Sequence, residues 1–125
     1  MQPTTERREF LRADMNVFLN EESRTARMLA KTVDISERGV HYVMPMAGNG
    51  RDSDEVTLEF CLPGDEQPVR ALGRVVYDRS DRFKQATAIE FTMLDASDAE
   101  RIRRYVGARK RAELFEQLRG QHLLQ

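Results

Sequence analysis

The hydrophobic period changes once along this chain, and that change decides the architecture. Between residues 13 and 93 apolar side chains recur in short runs with a period of two, whereas from residue 97 onward they recur at helical spacing. Ala13, Met15, Val17 and Leu19 alternate with Asp14, Asn16 and Phe18, and a second run over 25–35 carries Met28, Leu29, Val33 and Ile35 before halting at Ser36-Glu37-Arg38-Gly39. Residues 40–44 form a third short run. Val56, Leu58, Phe60 and Leu62 share one face of the fourth, Val69, Ala71, Val75 and Tyr77 one face of the fifth, and Thr87, Ile89, Phe91 and Met93 one face of the sixth. The breaks are turns by composition: 20–23, 45–54 with Gly48, Asn49 and Gly50, Pro63-Gly64-Asp65, and the polar stretch 78–84. Six short strands at this spacing predict an antiparallel barrel or sandwich. Ser97-Asp98-Ala99-Glu100 then reads as a capping box. It opens a helix over 97–120, with Ile102, Tyr105, Val106, Ala112, Phe115 and Leu118 on its apolar side and Gly120 as its stop. Gly107, which inside a helix costs about 1 kcal/mol relative to Ala, marks a bend or a close contact.

Composition narrows the functional classes. The chain has 125 residues, length for one domain, with a single Cys and two His, His41 and His122. That excludes an intramolecular disulfide and argues against a metal centre. No apolar run approaches the ~20 residues of a membrane span, and the start, Met1-Gln2-Pro3-Thr4-Thr5-Glu6-Arg7-Arg8, has no signal-like apolar core, so a cytoplasmic location is expected. Net charge is −1, but residues 100–119 hold seven basic against three acidic residues, a local +4 that leaves −5 elsewhere. A net acidic barrel with 7% aromatics and no Trp is a poor oligonucleotide platform, so no nucleic acid polymer is expected as a partner. Neither histidine sits in a catalytic pattern, and Cys61 has no basic neighbour in sequence to activate it. We therefore expect no catalysis.

Two polar stretches ask for a function. Arg7-Arg8-Glu9-Phe10-Leu11-Arg12 precedes the first strand, and guanidiniums on such a lead-in can grip phosphate or the O6/N7 edge of guanine. An isolated Arg-x-x-x-Arg is more often a solvated arm. In Asp34-Ile35-Ser36-Glu37-Arg38-Gly39, extended chain puts Asp34 and Ser36 on one side and Ile35 in the core. A carboxylate there can accept from guanine N1–H and N2–H, and Gly39 leaves a ligand room at the main chain. By itself the stretch is more often an Asx or Ser turn.

Together, Arg8-x-x-x-Arg12 and Asp34-x-Ser36-x-x-Gly39, followed by strands and a terminal helix, resemble the PilZ domain, the bacterial cyclic-di-GMP receptor module. Gly73-Arg74-Val75-Val76 and Ala88-Ile89-Glu90-Phe91 are similar to the family's Gly-x-Val-Val and Gly-Val-x-Phe strand patterns, with Ala88 in place of the usual Gly. The resemblance implies a six-stranded antiparallel β-barrel of split-barrel type over 13–96, a flexible arm over 1–12, a helix over 97–120 and a tail over 121–125. It implies cyclic di-GMP as ligand and no further cofactor. Arg8 and Arg12 would clamp phosphates and guanine edges, Asp34 and Ser36 would hold a guanine, and Gly39 would leave space. Arg7 leans toward an intercalated pair of ligands, and Arg74 is a further lining candidate. The arm would order on binding and signal to a partner protein, in processes such as motility or biofilm formation, from a monomer or weak homodimer. The alternative is a barrel of this family that binds no ligand and acts as an adaptor through its C-terminal helix. That helix is long enough for its distal part, residues 109–118, to pass the barrel edge and meet a partner or a second copy.

Overall fold

The computed structural model describes residues 10–45, 51 and 53–123, with side chains described as far as residue 120. Among the described residues seven strands precede one helix: β1 (Ala13–Asp14), β2 (Phe18–Glu22), β3 (Arg27–Ser36), β4 (Gly39–Pro45), β5 (Glu55–Phe60), β6 (Val69–Ser80), β7 (Lys84–Leu94) and α1 (Ala96–Leu123). All pairings are antiparallel in the order β1-β3-β2-β5-β6-β7-β4, and a further β3–β4 pairing closes β2 to β7 into a six-stranded barrel. Closure leaves those six strands without a free edge except where β6 runs on past the end of β5. The two-residue β1 lies outside, paired through Ala13 to Ile35 and Asp14 to Asp34.

The interior is filled by the alternating positions: Leu19 on β2, Ile35 on β3, Val40 and Tyr42 on β4, Leu58 on β5 and Val69 on β6 are fully buried, and Ile102 of α1 plugs one end. Pro63-Gly64 turns the chain after β5. Gly64 sits at φ 78°, and the Asp65 N–H donates to the Leu62 carbonyl at 3.0 Å, which fits a Pro-Gly turn with glycine in its third position.

Five expectations need correction. The first strand, expected to run unbroken over 13–19, is split into β1 and β2, because Thr32 on the neighbouring strand is buried and spends its hydroxyl on the intervening backbone. That oxygen accepts from the Val17 N–H at 2.8 Å and lies 2.9 Å from the Met15 carbonyl. In β3 Val33 does not share the inward face of Ile35. A bulge between Thr32 and Asp34 adds one residue opposite β4, so Val33 turns out to solvent while Ile35 is fully buried. The polar stretch 78–84 is mostly strand, not turn. Here β6 runs on beyond the end of β5, paired to β7, whose other edge stays paired to β4; this hydrogen-bonded ladder needs no apolar face, and Asp81 closes its turn by accepting from the N–H groups of Phe83 and Lys84 at 2.9 and 3.0 Å. Tyr77, after a bulge at Val76, is exposed rather than in register with Val69 and Ala71. Finally, the helix begins at Ala96, with the Asp95 carbonyl accepting from the Ala99 N–H at 2.8 Å, and runs past Gly120. Ser97 is therefore inside the helix. Glu100, instead of closing a capping box, pairs with Arg103 and Arg104.

The 28 residues of α1 span about 42 Å, and only the first turns touch the barrel. Ile102 and Val106 are buried, the Tyr105 hydroxyl donates to the Asp14 carbonyl at 2.7 Å, and Arg101 is bound to Asp65 and Asp98, each at 2.7 Å. Beyond them Leu114, Phe115 and Leu118 are exposed.

Candidate functional site

The bulge at Val33 is what builds the site. Counting by twos from the buried Thr32 would send Asp34 into the barrel, and the extra residue turns it outward beside the end of the arm. There Arg12 reaches three acceptors of the motif at once. Its Nε donates to Asp34 Oδ1 at 2.7 Å, its Nη1 to Ser36 Oγ at 3.2 Å and its Nη2 to the Gly39 carbonyl at 3.4 Å. Ser36 is fully buried under this contact, and its Oγ also accepts from the Arg38 N–H at 3.0 Å, which shapes the β3–β4 turn. The structure thus brings Arg12, Asp34, Ser36 and Gly39 together. Arg7 and Arg8 lie outside the described residues.

A Cβ at Gly39 would run into the Ile89 carbonyl of β7, so the close approach of two strands itself requires glycine there. Arg74 stands apart from Asp34. It lies two strands beyond Gly39, across β7 from the motif turn, and its Nη2 pairs with Glu90 Oε1 at 2.7 Å.

Three residues were missed by the sequence reading. His41, expected to be an ordinary imidazole, faces Asp34 across β3 and β4 with Nδ1 2.8 Å from Oδ1, so Arg12 and His41 converge on a single carboxylate oxygen. Arg38 places its guanidinium 4.9 Å from the Phe10 ring centroid and 3.6 Å from Glu90 Oε2. Glu90, the Cα partner of both Gly39 and Arg74, completes the set. Nothing in the local sequence signals these contacts, since each depends on cross-strand register.

The site is tied to the helix. Arg103 of α1 pairs with Glu37 in the motif turn at 3.1 Å, and Glu100 and then Glu37 raise its pKa by accepting from the guanidinium. A mostly apolar cleft of about 340 Å³, lined by Phe10, Leu11, Glu37, Arg103, Val106 and Gly107, separates the end of the arm from α1. A larger cleft of about 560 Å³, beside Arg24, Glu55 and Leu72, holds none of the motif residues. At the opposite end of the barrel lies a second polar cluster, also missed. Glu21 is buried with Arg51 Nε and Nη2 each 2.8 Å away and the Tyr42 hydroxyl at 2.6 Å, and Arg51 also reaches Asp78 at 2.6 Å. Burial and then the Glu21 charge raise the Tyr42 pKa, so the phenol stays protonated and donates. Among the described residues no group of acidic, His or Cys side chains is arranged to hold a metal, and no helix is long and apolar enough to cross a membrane.

A closed antiparallel barrel with Arg12 folded onto a strand-end Asp/Ser/Gly turn and a helix across one end defines a small β-barrel domain. The chain belongs to the PilZ domain family, whose model matches residues 6–108. Among solved structures it is similar to the Bacillus subtilis inhibitor of motility MotI/DgrA, with a TM-score of 0.71 and 18% identity over 82% of this chain and 51% of that one. It therefore spans about half the length of that protein. It is also similar to the PilZ domain of YcgR from Escherichia coli, solved with c-di-GMP, with a TM-score of 0.70 and 10% identity over 88% of this chain and 96% of that one. None of the curated proteins matches it in sequence.

Proposed function

We propose that this chain is a cytoplasmic, non-catalytic receptor for cyclic di-GMP that passes ligand occupancy to a partner protein. The observation that carries the reading is the seat of Arg12. A guanidinium offers a flat edge of adjacent N–H donors, as does the N1–H/N2–H edge of guanine, and here such an edge already lies on Asp34 and Ser36. In this reading guanine replaces Arg12 on Asp34, and the freed Arg12 joins Arg7 and Arg8 in gripping phosphates and the O6/N7 edge. His41 holds Asp34 in place during the exchange. Support also comes from the family assignment and from the YcgR domain, which was solved with this dinucleotide.

Transmission follows from the contacts around the site. Ordering the arm over its ligand moves the backbone next to Asp14, whose carbonyl is held by Tyr105, and the turn at Glu37, which is held by Arg103. Both lead to α1. The exposed Leu114, Phe115 and Leu118 favour a second reading, an adaptor that meets its partner through this helix whether or not ligand binds.

Isothermal titration with cyclic di-GMP tests the first reading, with Arg8→Ala, Arg12→Ala and Asp34→Ala as variants and cyclic di-AMP as the base control. Binding by the wild type that each substitution weakens by about 1–3 kcal/mol, with cyclic di-AMP excluded, is the expected result. Absence of heat and of chemical-shift change at high ligand would leave the helix-mediated adaptor as the account of this protein.

A further inference from the structure

Next to the Asp34 seat lies a second grouping of charges, of which the sequence offered Arg74 alone as a lining candidate. Glu90 stands between two arginines, with Oε1 2.7 Å from Arg74 Nη2 and Oε2 3.6 Å from Arg38 Nη2. Arg38 and Arg74 are 57% and 56% exposed, and Glu90 is 35% exposed. The backbone beneath them is fixed. Gly39 and Arg74 flank Glu90 on the adjacent strands, the Arg38 carbonyl accepts from the Phe91 N–H at 2.8 Å, and the Arg38 N–H rests on the same Ser36 hydroxyl that Arg12 contacts. Three guanidiniums therefore run in a row, Arg12, Arg38 and Arg74, from the arm across the motif turn to β6.

We infer that Arg38 and Arg74 form an anion subsite beside the Asp34 seat, and that the Glu90 carboxylate is its internal occupant, displaced when a phosphate group binds. The chemistry is that of exchange between like groups. A carboxylate and a phosphodiester both present two charged oxygens to a guanidinium fork. Ion pairs this exposed contribute little to stability, so their arginines can be given up to a ligand with small loss. A carboxylate left beside the subsite opposes the incoming phosphate, so Glu90 also lowers affinity. Phe10, whose ring lies against Arg38, extends the subsite toward the arm. This inference rests on the receptor reading for the identity of the phosphate donor. The subsite itself requires only an anion.

The test is Glu90→Gln, which removes the charge and keeps the shape. Cyclic di-GMP is expected to bind this variant about three- to tenfold more tightly than the wild type, with a steeper salt dependence. Arg38→Ala and Arg74→Ala are expected to weaken binding several-fold, and by a larger factor in the Glu90→Gln background, where both arginines are free to contact phosphate. Thermal melting of each variant checks the fold. Inorganic pyrophosphate, followed through the side-chain Nε–H resonances of Arg38 and Arg74, separates the two ideas. If pyrophosphate shifts both signals, more strongly in Glu90→Gln, while cyclic di-GMP gives no heat, the subsite stands and the receptor reading falls. If cyclic di-GMP binds and Arg12→Ala weakens it, but Glu90→Gln binds equally or more weakly, the inference is overturned and the receptor reading survives. If pyrophosphate moves neither resonance in either protein, there is no anion subsite.

Discussion

Replacing Arg51 with Ala should unfold a large fraction of this protein's stability, and the reason lies in what the substitution leaves behind. The Glu21 side chain is 1% exposed and that of Arg51 9% exposed, with two contacts of 2.8 Å between them. At an effective dielectric of about 20 such a pair attracts by about 6 kcal/mol, most of which is offset by the desolvation of both ions. Taking away the arginine removes the attraction but not the burial of Glu21, whose remaining partner is the Tyr42 hydroxyl at 2.6 Å. The expected loss is about 3–5 kcal/mol, against a total stability of about 5–15 kcal/mol for a domain. For this size that corresponds to a fall in Tm of roughly 12–20 °C. Urea unfolding followed by circular dichroism at pH 7 measures it. A double variant, Glu21→Gln with Arg51→Met, should recover most of the loss because no ion is then buried. A loss under about 1 kcal/mol, or a double variant no more stable than Arg51→Ala, would refute the reasoning.

Gly39→Ala should lose about 1–3 kcal/mol in urea unfolding, because its Cβ meets the Ile89 carbonyl and relief requires moving β4 from β7. Gly107→Ala should gain about 0.5–1 kcal/mol, since an added Cβ there meets only the end of Arg111 at an ordinary contact distance of 3.5 Å. Burial raises the Asp78 pKa, but hydrogen bonds from Gln85, Thr87 and Arg51 outweigh it, and the net shift is downward. Its contribution is therefore complete above the unfolded value of about 4 and is lost as pH falls through the folded one, so Asp78→Asn should flatten the acid limb of a Tm-against-pH curve. Truncation after Arg109 should leave the barrel's Tm within about 3 °C of the full chain, because Ile102 and Val106 are the buried helix residues and both remain.

Local geometry sufficed for much of this protein. A period of two marks half-buried strands wherever they fall, so Val56, Leu58 and Phe60 could be assigned to one inner face from spacing alone, and the switch to helical spacing placed α1 to within a few residues. The Arg12, Asp34, Ser36 and Gly39 set came instead from the resemblance to the PilZ family, because local geometry by itself fits a solvated arm and an Asx or Ser turn. Tertiary structure decided everything that depends on which strand meets which and in what register. The bulge at Val33 turns Asp34 outward and aligns it with His41, and strand order alone sets Glu90 between Arg38 and Arg74. Closure of the barrel likewise brings Arg51, in a stretch that composition marks as loop, onto Glu21, thirty positions away, and presses Gly39 against Ile89. Periodicity is a property of neighbours along the chain and is written in them. A cross-strand contact is a property of register, and one inserted residue reverses which side chains meet.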